Sequence, residues 1–176
     1  TKQFGKKAYI TKATSQLMRD LGSIPSPTNC FLLNLGLETL PVRMRQYCEN
    51  ALTVAKFLES SDKIASVRYP ALPGNEHYER AQKYLPMGTS GVMSIDIKGG
   101  RAPAMKFMDS LKLACNEVHV ADIRTCVLHP ASETHRQLTD EQLVAAGIEP
   151  GMVRISVGLE NVEDIIADLQ QALDQI

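Results

Sequence analysis

The sequence predicts an α/β fold, an α+β sandwich with a small mixed or antiparallel sheet that follows long helices and carries its later helices on one face. Apolar residues recur at helical spacing early in the chain and again at its carboxy terminus. Between these stretches, short segments alternate apolar and polar residues, which is typical of strands with one buried face. We expect residues 1–60 to form a helical connecting segment with a spine helix, and residues 61–176 to form an α/β domain.

The helical part divides at its glycines and prolines. A first helix is predicted over residues 6–20 and ended by Gly22, and Ser23–Pro27 favours an extended link because proline fixes φ. A second helix is predicted over 28–40, and the third follows Pro41. That third helix is long enough to be a spine, with an apolar stripe of Met44, Tyr47, Cys48, Ala51, Leu52, Val54, Ala55 and Leu58.

Five segments of the remaining chain are predicted strands. Gly91–Lys98 and Met152–Val157 show the clearest alternation of apolar and polar residues. The other three predicted strands are 63–70, 117–120 and 124–128. Helices are predicted over 77–84, over 102–113, after a capping box at Thr139–Gln142, and after an Asn161 cap at the carboxy terminus.

Composition argues against several classes of function. The 19 basic and 20 acidic residues give a net charge of -1, without the basic excess that a nucleic-acid or anionic-membrane partner would require. No stretch reaches the length needed to cross a bilayer, and the amino terminus lacks the apolar block of a secretory signal. The four cysteines are too far apart in sequence for a metal knuckle or a redox pair. We expect buried, free thiols in a reducing compartment, and therefore a cytoplasmic protein.

Two segments carry side chains with chemical potential. Arg154 lies mid-strand on the polar face, where it either faces solvent, the commoner case, or binds an anion such as a carboxylate through its planar fork. His129–His135 holds two histidines, a serine and an acid. We expect no metal there, because no third ligand is near, and no nucleophile, because Ser132 lies on no nucleophile elbow. An irregular loop of polar side chains bonded to one another is the simpler interpretation.

Three ordered motifs resemble the cystathionine and methionine-metabolism family of pyridoxal-phosphate enzymes, over essentially the whole chain. They are Ser26–Leu33 with Gly36–Leu40, then His129–His135, then Val153–Glu160. The resemblance implies the carboxy-terminal domain of a fold-type-I pyridoxal-phosphate enzyme, with that cofactor and a homotetrameric assembly. From the residues themselves, independently of the resemblance, we expect no metal ligands in this chain.

The resemblance implies a substrate site as well. Arg154 would bind the α-carboxylate of the substrate. His119 and Val120 match the position where the family brings a backbone segment against that carboxylate, although the family usually has Ser or Asn where His119 stands. Ser132 and Thr134 would line the same side of the pocket.

Within the family, His119–Thr125 and Glu141–Ile148 look most like the O-acetylhomoserine sulfhydrylase branch. That branch implies γ-replacement, in which O-acetylhomoserine and sulfide or a thiol give homocysteine or its thioether. O-succinylhomoserine sulfhydrylase, cystathionine γ-synthase and methionine γ-lyase share the framework and remain alternatives.

The family's serine-x-threonine-lysine motif, which attaches the cofactor, is absent. Thr11–Lys12 lacks the serine before it and the glycines after it. We expect the attachment lysine in a large domain before residue 1, so that this chain contains no catalytic residue and is inactive alone. A hypothesis of a different class is a non-catalytic assembly or interaction domain, favoured by the apolar surface of the helices at 28–60.

Overall fold

The computed structural model describes residues 2–176 and confirms the predicted α/β class. Contacts divide the chain into two units, one made of the described residues up to Pro41 and the other of Val42–Ile176. The sequence-based division at residue 60 differs from this one, because the spine helix is buried against the sheet between residues 51 and 58. None of the described helices is long and apolar enough to cross a membrane.

The first unit is helical. It comprises a 3₁₀ segment (Lys2–Lys7), α1 (Ala8–Lys12), a π-helical segment (Ala13–Met18), α2 (Arg19–Leu21) and α3 (Pro27–Glu38). Gly22 ends α2 at φ 66°, a left-handed conformation that glycine adopts readily, as predicted. The hydroxyl of Ser26 accepts from the Asn29 N–H and so caps α3. No residue of α3 is buried.

The second unit contains a five-stranded sheet in the order β1-β2-β5-β4-β3. The strands are β1 (Ile64–Arg68), β2 (Val92–Ile97), β3 (Cys115–Asn116), β4 (Cys126–Leu128) and β5 (Met152–Ser156). Neighbours pair antiparallel except for β3 and β4, which pair parallel. The sheet is therefore mixed, as predicted.

The predicted strand over 117–120 is wrong. The Glu117 N–H donates to the Val127 carbonyl at 3.0 Å, and the chain then leaves the sheet. Residues 117–125 form an irregular connection between β3 and β4, which we call the 117–125 loop. The carbonyls of Val118 and His119 in this loop accept hydrogen bonds from Arg154 of β5 and do not pair with a neighbouring strand.

The helices of this unit lie near their predicted positions, although the one predicted over 102–113 ends at Ser110, since Leu111 is already extended. They are α4 (Leu40–Glu59), α5 (Tyr78–Tyr84), α6 (Arg101–Ser110), α7 (Asp140–Ala145) and α8 (Val162–Leu173). Thr139 and Gln142 form the predicted capping box of α7, and the Asn161 side chain caps α8. Both predictions of helix starts are confirmed.

One face of the sheet is apolar and is covered by α4, α6 and α8. The buried strand residues on this face include Ile64, Met93, Ile95, Ile97, Val127, Val153 and Ile155. They pack with Val54 and Leu58 of α4, Phe107 of α6, and Ile165 and Leu169 of α8. The helices thus lie on one side, and the opposite face of the sheet is left with the polar residues of β2 and β5.

The cysteines are free, as predicted, but only one is buried. Cys126 is 1% exposed, Cys48 and Cys115 are half-buried, and Cys30 is exposed on α3. The prediction of burial failed for Cys30 because the apolar residues around it in sequence lie on an exposed helix. Apolar neighbours in sequence do not ensure a buried position.

Candidate functional site

The polar face of the sheet opens into a cleft of about 580 Å³. Its lining consists of Arg68, Val92, Met93, Ser94, Leu128, Pro130, Thr134, His135, Ile148, Met152 and Arg154. Strand register pairs Ser94 with Arg68 on one side and with Arg154 on the other, so the two arginines lie in one row across the sheet. Two strand spacings separate their Cα atoms, which corresponds to about 10 Å.

The residues that line the cleft carry positive charge, and Asp96 of β2, outside this lining, interacts electrostatically with Arg68. None of the described residues that line the cleft is Asp or Glu. Among the described residues, neither Arg68 nor Arg154 has a carboxylate oxygen within ion-pair distance. Arg68 Nη1 lies 3.8 Å from the sulfur of Met152. Two guanidinium groups beside apolar side chains favour an anionic ligand.

Arg154 is held by backbone atoms of the 117–125 loop. Its Nη2 donates to the carbonyls of Val118 at 2.8 Å and His119 at 3.4 Å. Its Nε is buried and has no hydrogen-bond partner among the described residues. The bonds of Nη2 therefore fix the orientation of the guanidinium, while Nε still lacks a hydrogen-bond acceptor. A side chain that binds a carboxylate is expected to have such an unused donor.

The 117–125 loop is itself anchored on both sides. The Ala121 N–H donates to the Ser156 hydroxyl at 3.0 Å, and the Tyr47 hydroxyl donates to the Ala121 carbonyl at 3.2 Å. Ala121 has a φ of 60°, an unfavourable conformation for alanine that persists only where surrounding contacts impose it. Tyr47 and Ser156 thus position the carbonyls that orient Arg154, a role that the sequence analysis missed.

His119 and Val120 lie in this loop beside Arg154. The His119 carbonyl bonds Arg154, while its Nδ1 lies 3.0 Å from Glu117 Oε2 and 3.4 Å from Asp122 Oδ2. The side chain of Val120 is exposed. The backbone of this segment therefore reaches the arginine. Contact of either residue with a substrate stays a prediction.

The 129–135 segment is a loop of self-bonded polar side chains, as predicted. His129 is fully buried, with Nδ1 2.8 Å from the Ser132 hydroxyl and Nε2 2.8 Å from the Pro150 carbonyl. Since a carbonyl only accepts, Nε2 carries the proton and the Ser132 hydroxyl donates to Nδ1. Thr134 lines the cleft and bonds His135 at 2.9 Å. Ser132 is directed to His129 and is not among the residues that line the cleft.

His129 should make the stability of the chain depend on pH. Burial lowers the pKa of His129 from its ordinary value of 6.5, so the folded state holds a neutral imidazole. Its contribution is complete above pH 6.5 and is lost as the pH falls below that value towards the folded pKa, because only the unfolded state is then protonated. We expect the free energy of urea unfolding to fall by about 1 kcal/mol between about pH 7 and about pH 5.

The replacement His129→Gln should remove most of that fall. His77 is exposed and serves as the matched control, so His77→Gln should leave the pH dependence as it is in the unsubstituted chain. An equal pH dependence in His129→Gln and His77→Gln would contradict this role of His129.

Comparisons with known proteins agree on one family. Residues 4–174 match the Cys/Met metabolism PLP-dependent enzyme family. The chain is 45% identical over 170 residues to O-acetyl-L-homoserine sulfhydrylase of Leptospira meyeri, covering 96% of this chain and 38% of the relative. It is 42% identical over 173 residues to L-methionine gamma-lyase of Porphyromonas gingivalis, covering 98% of this chain and 43% of the relative.

A solved structure gives the same assignment of the fold. It is a protein of Campylobacter jejuni assigned as an O-acetylhomoserine (thiol)-lyase, and it contains N′-pyridoxyl-lysine-5′-monophosphate. The TM-score is 0.85 at 39% identity, over 93% of this chain and 39% of that one. The chain thus spans about two-fifths of the length of the relatives it matches.

Proposed function

This chain belongs to the Cys/Met metabolism family of pyridoxal-phosphate-dependent enzymes, and we propose that it forms the substrate-carboxylate-binding part of an O-acetylhomoserine sulfhydrylase. The proposed reaction is γ-replacement, in which O-acetylhomoserine and sulfide give homocysteine and acetate. The observation that carries the proposal is Arg154, fixed by two backbone carbonyls in a cleft whose described lining residues include no acid.

Arg154 would act by positioning. A bidentate pair would hold the substrate carboxylate in one position. With the substrate nitrogen also held, rotation about the bond between the nitrogen and the α-carbon stops, and this fixes which α-substituent faces the reactive group. Arg68 adds positive charge two strands away, and Leu128, Ile148 and Met152 provide apolar surface for the carbon chain. The carbonyls of Val118 and His119 keep the guanidinium in place while the ligand exchanges.

The described residues do not fit as the attachment site of pyridoxal phosphate. The family binds this cofactor through a lysine, and the part of the chain that the structure describes places no lysine in the lining of the cleft. We therefore propose that the cofactor, which provides the electron sink of the reaction, is held by residues outside this chain. Four free cysteines agree with a reducing compartment, and a cytoplasmic location is part of the proposal.

The branch of the family is the finer part of the proposal. Methionine γ-lyase, O-succinylhomoserine sulfhydrylase and cystathionine γ-synthase all act on amino acids with an α-carboxylate, so Arg154 suits each of them. Identities of 45% and 42% to two branches are close to each other. The O-acetylhomoserine branch is preferred because the 119–125 and 141–148 segments resemble it.

We expect this chain alone to retain no pyridoxal phosphate after incubation, borohydride reduction and dialysis, and to form no homocysteine. The longer enzyme that contains it should retain one cofactor per chain. It should form homocysteine from O-acetylhomoserine and sulfide with a higher kcat/KM than from O-succinylhomoserine, and should release little methanethiol from methionine. Absorbance after dialysis and a thiol assay provide the two measurements.

The outcomes separate the parts of the proposal. An adduct on Lys12, which is exposed on α1, would show that this chain attaches the cofactor. Faster release of methanethiol than of homocysteine would favour methionine γ-lyase. A longer protein without any of these activities would favour the second candidate, a non-catalytic assembly domain.

The second candidate rests on an exposed apolar surface. The helix α3 exposes five large apolar side chains by half or more, namely Phe31, Leu32, Leu33, Leu35 and Leu37. Such a surface marks a contact with another chain or domain. A homo-oligomer of the enzyme would use the same surface, so this surface is consistent with both candidates. Only an activity measurement distinguishes them.

A further inference from the structure

Potential metal ligands gather where β3 and β4 pair, outside the arginine cleft. Cys115 and Cys126 are direct partners in the parallel register of these strands. Glu117 comes two residues after Cys115, where its N–H still bonds the Val127 carbonyl of β4, and His119 lies just beyond it in the 117–125 loop. The ligand atoms of Glu117, His119 and Cys126 all lie within 4.8 Å of one another.

The distances suit a small tetrahedral cation. Glu117 Oε2 lies 3.0 Å from His119 Nδ1 and 3.9 Å from Cys126 Sγ. Zinc bonds of about 2.0–2.3 Å at tetrahedral angles require about 3.3–3.6 Å between neighbouring ligand atoms. Side-chain shifts below about 1 Å would therefore bring the three atoms into a coordination sphere.

We propose that Glu117, His119 and Cys126 bind a thiophilic divalent cation of the Zn²⁺ class, with water in the fourth position. Cys126 would bind as a thiolate and release its proton to the solvent as the metal–sulfur bond forms. Carboxylate, imidazole and thiolate together select zinc and similar metals over magnesium or calcium, which prefer oxygen ligands alone.

The surrounding charges balance such an ion. Arg124 donates to both oxygens of Glu117 at 3.0 and 3.3 Å and to Asp122 Oδ1 at 3.2 Å. With Cys126 as a thiolate, Glu117, Asp122, Cys126 and Arg124 carry two net negative charges, equal to the charge of the cation. Arg124 would keep Glu117 Oε1 while Oε2 turns to the metal. His119 is half exposed, so an ion can enter from its side.

The location explains why the sequence analysis expected no metal in this chain. The 117–125 loop separates His119 from Cys126 in sequence, and only the parallel pairing of β3 with β4 brings Cys126 beside Glu117. Val118, between two of the proposed ligands, gives its carbonyl to Arg154, so the site adjoins the cleft without sharing its side chains.

Titration of the chain with Co²⁺ tests the proposal, because a cobalt–thiolate bond gives a charge-transfer absorption in the near ultraviolet. We expect this band to appear at one Co²⁺ per chain, to disappear on addition of Zn²⁺, and to be absent in Cys126→Ser. Calorimetric titration with Zn²⁺ should show a loss of affinity of at least about tenfold in His119→Asn, since even residues that merely support a metal ligand cost that much.

The controls separate a site from general thiol chemistry. Cys30→Ser, at an exposed position on α3, should bind both metals as the unsubstituted chain does. Circular dichroism reports whether Cys126→Ser stays folded. His119→Asn replaces an exposed side chain, so we expect this variant to fold. Absence of the band, its persistence in Cys126→Ser, or unchanged Zn²⁺ affinity in His119→Asn would each overturn the proposal.

Discussion

Replacing Arg154 by alanine in the complete enzyme is expected to lower kcat/KM for O-acetylhomoserine by about tenfold to a hundredfold. Under the proposed function, the substitution removes a charge-assisted bidentate pair with the substrate carboxylate, which contributes about 1.5–3 kcal/mol. The loss should appear with every amino-acid substrate tested, because each presents the same α-carboxylate. Steady-state kinetics with O-acetylhomoserine as the varied substrate provides the measurement.

Two further variants distinguish carboxylate binding from a structural role. Arg154→Lys keeps the charge but loses the planar fork, so it should recover only part of the lost kcat/KM. Arg68→Ala removes the other arginine of the same cleft and should have the smaller effect, because no backbone carbonyl of the described residues fixes Arg68. An unchanged kcat/KM in a folded Arg154→Ala enzyme would refute the assignment of Arg154.

The strands with one buried face were predictable, because the residues that face the core must be apolar and therefore recur at every second position. In β2, Met93, Ile95 and Ile97 are each at most 2% exposed, and β5 shows the same alternation. The segment 117–120 alternates too, yet it is no strand. Val118 and Val120 are more than half exposed there, so the alternation reflects no buried face. Alternation of apolar and polar residues predicts a strand only where the apolar side chains pack into a core.

The site was predictable only in part, because its geometry depends on pairing between distant segments. Arg154 and Thr134 came from motifs that resemble the family, and both line the cleft. Arg68 was missed because nothing local marks it, and the register through Ser94 is what places it in the row with Arg154. Ser132 was expected in the pocket, but its hydroxyl serves the buried imidazole of His129. A buried nitrogen without that partner would be costly.

The position of α8 depends on a carboxylate that the sequence does not single out. Asp168 is 7% exposed and accepts the backbone N–H groups of Lys112 at 2.8 Å, Leu113 at 2.9 Å and Ala114 at 2.9 Å. The Gln171 side chain also donates to it, at 3.1 Å. Three consecutive N–H groups therefore depend on one side chain, which ties the segment after α6 to α8.

We expect Asp168→Ala to lower the free energy of unfolding by about 3 kcal/mol, measured by urea denaturation of this chain at neutral pH. Each backbone N–H left without its charged acceptor costs about 1–3 kcal/mol when buried, and water can reach part of this exposed segment, which limits the total. A loss of that size is a large fraction of the stability of a typical domain.

The matched control is Asp174→Ala, just beyond the end of α8. Among the residues that the structure describes, its exposed carboxylate accepts only from the Gln170 side chain. It should change the free energy of unfolding by less than about 0.5 kcal/mol. Asp168→Asn keeps the shape and one acceptor oxygen, and should fall between the two alanine variants, because its amide nitrogen cannot accept from the backbone. If Asp168→Ala proved no more costly than Asp174→Ala, the three backbone donors would be satisfied by water, and α8 would be held by its apolar face alone.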